Sequence, residues 1–400
     1  MSKTVVLGVG GGIAAYKACD VVSRLRKENI QVNVIMTKHA TEFVSALTFQ
    51  SISQNPVAVE MFEPVTNWDI EHISLAKKAD IFLIAPATAN VIGKIANGIA
   101  DDMLSTTVMA TKAPVVIAPA MNTNMYENPV TQANIQKLKD LGYIFIEPGY
   151  GRLACGDLGP GKLAEPDLIV ENIKFLLNKT DELKGKNVLV TAGPTQEAID
   201  PVRYITNKST GKMGYALAYQ AALMGAKVTL VTGPTNIEIP FGIAEVIKIK
   251  SAGQMYETVT SSFDEMDIVI KSAAVADYKP KNISDSKIKK SDSDLVLELD
   301  RNKDILFELG KLKTKQVLVG FAAETDDLIA NAQKKLAKKN LDFIVANDLK
   351  QEGAGFAGDT NIAKLLFADG NIEELPIMTK NQLSKEIYDK KIDKYENWEP

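Results

Sequence analysis

Few side chains in this chain can hold or move a proton near neutral pH. Among 400 residues the only histidines are His39 and His72, and the only cysteines are Cys19 and Cys155. His72 stands in EHISLAKKAD, at the start of a helix leading into an apolar strand at 80–86. Taken alone, it reads as a satisfied structural histidine sooner than a catalytic one. His39, in MTKHA at a strand end, reads as a surface or capping residue. Asn122 lies in PAMNTNMYENP (119–129), just past a strand at 113–118, and its amide can offer hydrogen bonds to a carboxylate. Met121 and Met125 add polarisable apolar surface, which suits a flat ring or plain core filling. Cys155 lies in GYGRLACGDLGPGKL (149–163), a glycine-rich loop that is either a mobile lid or a long connection. A thiol titrates near ~8.5, so Cys155 can serve as an acid.

Farther along, TAGPTQEAIDPVRYITNKSTGKMG (191–214) offers two phosphate cradles. Gly193-Pro194-Thr195 presents backbone amides near a helix start, and Ser209, Thr210 and Gly211 sit at the N-terminus of a helix at 212–224. Lysines crowd KSAAVADYKPKNISDSKIKK (271–290), which by composition alone is a solvated basic loop. Two nucleotide motifs fail. GVGGG (8–12) would need glycine at 13 to complete a dinucleotide fingerprint, and Ile13 stands there. The run from Gly156 to Lys162 approaches a P-loop, but Leu163 removes the hydroxyl that would hold Mg²⁺, and no apolar strand precedes it. A nucleotide, if used, is held some other way.

These residues follow apolar strands. TVVLGV (4–9), VNVIM (32–36), DIFLIAP (80–86), APVVIAP (113–119) and YIFIEP (143–148) alternate with helix-length segments. After a charged seam, NKTDELKGKN (178–187), the pattern restarts with NVLVTAG (187–193), KVTLVTG (227–233), DIVIKSAA (267–274), QVLVGFAAE (316–324) and LDFIVAND (341–348). Strands apolar on both faces predict an α/β chain of two doubly wound, Rossmann-like domains, 1–180 and 186–400. Ligands of such sheets bind at the carboxyl ends of the strands, where APAT, PAMN, TAGPT, SAAVAD, FAAET and AND lie.

A net charge of −4, spread over both halves, excludes nucleic-acid binding by phosphate neutralisation. No run approaches the ~20 apolar residues of a membrane span. The N-terminus lacks the pattern of a secretory signal, and the two cysteines support neither a disulfide framework nor a zinc site. The expectation is a cytoplasmic protein.

HISLAKKAD, APATANVIGKIANGIADDMLST, PAMNTNMY and ACGDLGPG occur in an order that resembles the decarboxylase half of the bifunctional coenzyme A biosynthesis flavoproteins, over residues 3–175. That half is flavodoxin-like, of the homo-oligomeric flavin-containing cysteine decarboxylase type. The resemblance implies FMN against Gly11, Gly12, Ile13, Thr37, Thr88 and Ser105. It also implies His72 as the active-site histidine, Asn122 as the amide gripping the substrate carboxylate, and Cys155 as proton donor on a lid. Tyr126 stands where many relatives carry Trp. DPVRYITNKSTGKMG, KSAAVADY, KIKK and GFAAET resemble the phosphopantothenate–cysteine ligase half, over about 186–390. By that resemblance Lys271, Ser272, Ala273, Asp277, Asn302, Asp304, Ile305, Phe321, Lys335 and Lys339 line the nucleotide pocket. Asn207 holds the acyl-nucleotide and Lys287 assists catalysis, with Lys208 where some relatives have His. CTP as cosubstrate and Mg²⁺ carried by the nucleotide follow from the same resemblance, as does a homo-oligomer, a dodecamer built from trimeric decarboxylase and dimeric ligase contacts. Two alternatives stand beside it: an NAD(P)-dependent oxidoreductase, against which the broken fingerprint counts, and a catalytically silent FMN-binding regulatory protein.

Overall fold

The computed structural model describes residues 2–62, 70–289, 295–324, 328–348, 358 and 360–395. The chain divides into two compact units, Met1–Asn178 and Lys179–Pro400.

In the first unit, β1 (Thr4–Val9), β2 (Gln31–Met36), β3 (Val57–Ala58), β4 (Ile81–Ala87), β5 (Val115–Pro119) and β6 (Ile144–Phe145) form one parallel sheet. Its order is β3-β2-β1-β4-β5-β6. Setting aside the two-residue edge strand β3 leaves the flavodoxin-like order, with its switch point between β1 and β4. Alternate residues of a strand face opposite sides, and here both sides are buried. Val5, Leu7 and Val9 join Val34, Met36 and Leu83 in one core, while Val6 joins Ile35, Phe82 and Ile84 in another. That is why these strands are continuous apolar runs rather than alternating ones. Helix Ala15–Lys27 buries Ala15, Ala18, Val21, Val22 and Leu25, an apolar stripe at helical spacing, against the first core.

The glycine-rich segment 149–162 is neither a plain connection nor irregular but an antiparallel hairpin of β7 (Gly149–Arg152) and β8 (Leu158–Lys162). Its turn is closed by Leu153 N donating to Asp157 O at 2.8 Å and by Gly156 at φ +94. Its glycines are used. At Gly161, with φ +125, a Cβ would stand 2.4 Å from Met121 O, and at Gly159 one would stand 2.6 Å from Thr123 Cγ2. Bare backbone there lets the hairpin lie on the segment that carries Asn122.

The second unit holds β9 (Asn187–Ala192), the small strands β10 (Gln196–Ala198) and β11 (Tyr204–Thr206), then β12 (Lys227–Thr232), β13 (Glu245–Lys248) and β14 (Ile268–Lys271). The ribbon of β15 (Tyr278–Pro280) and β16 (Leu299–Arg301) precedes β17 (Val317–Glu324) and β18 (Phe343–Asp348). Last come β19 (Thr360–Asn361), β20 (Ala363–Phe367), β21 (Ile372–Glu374) and β22 (Met378–Thr379). The main sheet runs β13-β12-β9-β14-β17-β18-β20-β21, parallel through β18 and antiparallel beyond. Its parallel part has the doubly wound order of a dinucleotide-binding sheet, with the switch point between β9 and β14. Among the described residues no helix is long and apolar enough to cross a membrane.

Candidate functional sites

At the first switch point the backbone turns sharply after β1. Gly10 N donates to Pro86 O at 3.0 Å, where a Cβ on Gly10 would come within 2.6 Å of that oxygen. Gly11 packs on His39, whose Cβ would be 2.4 Å from an added Cβ. Gly12 differs: an added Cβ would meet nothing nearer than Thr88 Cγ2 at 3.7 Å. Beside it Ile13 and Tyr16 are each 59% exposed. Thr37 and Thr88 follow β2 and β4 as helix N-caps, accepting from Ala40 N and Val91 N, each at 3.3 Å. Ser105 is buried, and its hydroxyl donates to Asp102 Oδ1 at 2.8 Å in a capping box. Burial alone would raise the Asp102 carboxyl, but the Lys94 ammonium and the Ser105 donors hold it below the usual range.

Asn122 and Cys155, 33 residues apart, meet. Asn122 caps helix Thr123–Glu127, its Oδ1 accepting from Asn124 N at 2.8 Å, so its Nδ2 is the end it offers. Nδ2 donates to Cys155 Sγ at 3.2 Å and to Asp157 Oδ2 at 2.7 Å, and Cys155 Sγ donates to the same Asp157 oxygen at 3.3 Å. Tyr126 donates to Glu147 Oε2 at 3.0 Å, and burial, then the Glu147 charge, pushes its phenol up to about 12. His72 is half-buried on helix Glu71–Lys78, which packs against helix Met103–Ala110 and β1; no hydrogen bond joins it to Asn122 or Cys155.

In the second unit a cleft of about 180 Å³ opens at the β9/β14 switch point. Ser209 to Gly214, Ser272 to Ala274 and Phe321 line it, together with Asn347 of the AND strand end and with Asn361 and Lys380, which carried no signal in the sequence. The helix N-terminus there, Lys212–Leu223, has no side-chain cap. Asp277, Asp304, Lys335 and Lys339 all lie within electrostatic reach of Lys271. Burial, and after it Lys339, pushes the Lys271 ammonium down to about 8 against the pull of Asp304 and Asp277. Asp304 caps helix Ile305–Leu312 and pairs with Lys339 at 2.9 Å. Ile305 itself is a core residue, 1% exposed. Asn302 Nδ2 donates to Ala276 O at 2.9 Å, and Asn207 Nδ2 to Ala274 O and Val275 O, both at 3.2 Å.

Residues 1–178 match the family model described as Flavoprotein, and residues 183–395 match that of the DNA/pantothenate metabolism flavoprotein C-terminal domain. The Coenzyme A biosynthesis bifunctional protein CoaBC of Bacillus subtilis is 55% identical over 388 residues, 96% of each chain. The protein of that name from Vibrio parahaemolyticus is 46% identical over 97% of each chain. A solved C-terminal domain of a Coenzyme A biosynthesis bifunctional protein CoaBC is 43% identical, with a TM-score of 0.48, covering 55% of this chain and 100% of that one. The chain belongs to the bifunctional coenzyme A biosynthesis flavoproteins. This membership favours the paired biosynthetic reading over the nicotinamide-dependent and the silent flavin-binding ones.

Within a bifunctional flavoprotein of this kind, two groups missed in the sequence stand out. Asp157, two residues after Cys155, completes the contact with Asn122. Asp200 is buried and accepts from Val202 N at 2.9 Å, Arg203 N at 2.8 Å, Arg203 Nη2 at 2.6 Å and Ile288 N at 3.2 Å. The Arg203 guanidinium, against the opposing effect of burial, holds its carboxyl well below the usual range. Through Ile288 it pins the backbone next to Lys287, whose side chain is exposed. A dinucleotide-type glycine set also appears, split along the chain. Gly193 (φ +73) turns the chain after β9, Gly211 (φ +85) would put a Cβ 3.3 Å from Gly193 Cα, and Gly214 would put one 2.5 Å from Ala192 Cβ. Tight turn, close backbone approach and helix–strand packing are the three jobs of G-x-G-x-x-G.

Proposed function

We propose that residues 1–180 form an FMN-dependent decarboxylase of 4'-phosphopantothenoylcysteine and residues 186–400 the ligase that makes this compound from 4'-phosphopantothenate and cysteine. The observation that carries the reading is the meeting of an amide, Asn122, with a thiol, Cys155, in a flavoprotein unit that also carries an open glycine turn. Gly12 fits a flat cofactor. Protein packing does not demand its missing side chain, and exposed Ile13 and Tyr16 give apolar surface next to it. Gly11, Gly12, Ile13, Thr37 and Thr88 hold FMN in this reading. Ser105 contributes the shape of its capped helix end, since its hydroxyl is engaged by Asp102.

Bound flavin supplies reversible oxidation of the carbon bearing the substrate thiol, which puts an electron sink beta to the carboxylate. Asn122 Nδ2 donates to that carboxylate and fixes its orientation. Once CO₂ leaves, Cys155 delivers its proton to the carbon that lost it. The hairpin excludes water while this happens. His72 is the active-site histidine of this reading.

In the ligase, the phosphopantothenate carboxylate attacks the α-phosphorus of CTP, pyrophosphate leaves, and the cysteine amine then displaces CMP from the acyl-CMP. Lys271, Lys335 and Lys339 offset the negative charge gathered there, with Asp277, Asn302, Asp304, Ser272, Ala273, Phe321 and the Ile305 backbone around the nucleotide. Asn207 holds the acyl-CMP and Lys287 steadies its formation. Mg²⁺ arrives with the nucleotide phosphates. The working form is a cytoplasmic homo-oligomer, a dodecamer of decarboxylase trimers and ligase dimers. Exposed Ile13, Tyr16, Phe43 and Leu47 on the first unit, and Val202 and Tyr204 on the second, support an assembled state.

The test is incubation of the purified protein with phosphopantothenate, cysteine, Mg²⁺ and either CTP or ATP. A yellow protein that releases pyrophosphate and then CO₂, with CTP preferred, is expected. Colourless protein or release of neither product would overturn the reading.

A further inference from the structure

The carboxylate of Asp157 sits on Asn122 Nδ2, the donor that the proposed function gives to the substrate carboxylate. Its Oδ2 accepts from Asn122 Nδ2 at 2.7 Å and from Cys155 Sγ at 3.3 Å, so one oxygen holds both groups. Asn122 Oδ1 is committed to capping its own helix, which leaves Nδ2 as the donor available for a ligand. Asp157 is carried at the exposed tip of the hairpin, not in the core, and its main chain, not its side chain, closes the turn with Leu153. The fold therefore does not need this carboxylate in place.

We propose that Asp157 is an internal occupant of the carboxylate site, holding the hairpin tip against Asn122 in the empty enzyme and yielding that amide to the incoming substrate. The inference rests on the reading of Asn122 given above. Two carboxylates on one donor repel, so one must leave. Exchange keeps an anion on the amide throughout. Phosphopantetheine, which has lost the carboxylate, has nothing to exchange and binds with Asp157 still on Asn122. Asp157 thus acts on the affinity for substrate alone.

Steady-state kinetics of the FMN-loaded enzyme on 4'-phosphopantothenoylcysteine, with phosphopantetheine as product inhibitor, test this. Asp157→Ala is expected to lower KM for substrate by roughly tenfold, one charge-assisted hydrogen bond no longer in competition, with the product inhibition constant unchanged. In an Asn122→Ala background the same change is expected to do nothing further. If Asp157→Ala raises KM, leaves it alone, or moves the product constant in step, Asp157 is merely a hairpin residue and the inference fails. The single variant Asn122→Ala separates the two levels. If it raises KM for substrate but not the product constant, the carboxylate role of Asn122 stands whatever Asp157 does. If it moves neither, the reading of Asn122 falls, and the inference with it.

Discussion

Lys271 shows how much one side chain can carry. Sitting at the end of β14, its ammonium is pushed down to about 8 by burial and then by Lys339, with Asp304 and Asp277 pulling the other way. Between pH about 8 and 10.5 the unfolded chain holds this proton and the fold does not, so the group's cost to stability is relieved as pH rises. Binding runs in the opposite direction, because a neutral Lys271 no longer attracts phosphate. KM for the nucleotide is therefore expected to climb as pH passes about 8, and Lys271→Met should raise KM and flatten that climb. A pH profile of ligase KM in which parent and variant rise together would remove Lys271 from nucleotide binding. The lysine was legible in KSAAVADY as a candidate, but its low proton affinity was not. That property comes first from burial in the folded sheet and then from Lys339, more than 60 residues away in sequence. Asp157 escaped notice for the same reason: a carboxylate in CGD looks like a turn residue until Asn122 is folded onto it.

At the scale of elements, glycines divide into those the protein packs against and those it leaves open. Gly214 lets helix Lys212–Leu223 lie on β9, where an added Cβ would be 2.5 Å from Ala192 Cβ and 3.0 Å from Thr191 O. Gly214→Val is expected to lower stability by about 2 kcal/mol, the usual cost of overpacking, and to abolish the ligase. Gly12→Ala meets only Thr88 Cγ2 at 3.7 Å, so its melting temperature without flavin should match the parent's, while flavin retention falls. Thermal melts with and without FMN distinguish the two, and a stability loss at Gly12 equal to that at Gly214 would contradict the open cradle. The parallel strands were readable because strands buried on both faces are apolar throughout. The antiparallel strands β20 and β21 and the hairpin around Cys155 were not, since their pairing is set by partners and not by composition. Nor was the divided glycine set, because Gly193 and Gly211 become neighbours only after the intervening residues loop out.

For the whole molecule, each unit buries apolar residues of its own: Val5, Leu7 and Phe82 among those of the first, and Leu189, Val231, Val269 and Leu318 among those of the second. Two chemistries on two self-contained sheets should separate by mutation. Lys287→Gln is expected to cut pyrophosphate release by on the order of a hundredfold, as loss of a cation facing transition-state charge does, and to leave decarboxylation of supplied substrate intact. Cys155→Ser should do the reverse, making phosphopantothenoylcysteine, retaining flavin and stalling after CO₂ loss. Neither variant alone should turn phosphopantothenate and cysteine into phosphopantetheine. Purified separately and then mixed, they should, because the compound released by one ligase is free to reach the intact decarboxylase of the other. The yield should grow with protein concentration as diffusional transfer does. A silent mixture, from variants that each keep their remaining activity, would mean that the intermediate never leaves the assembly that made it.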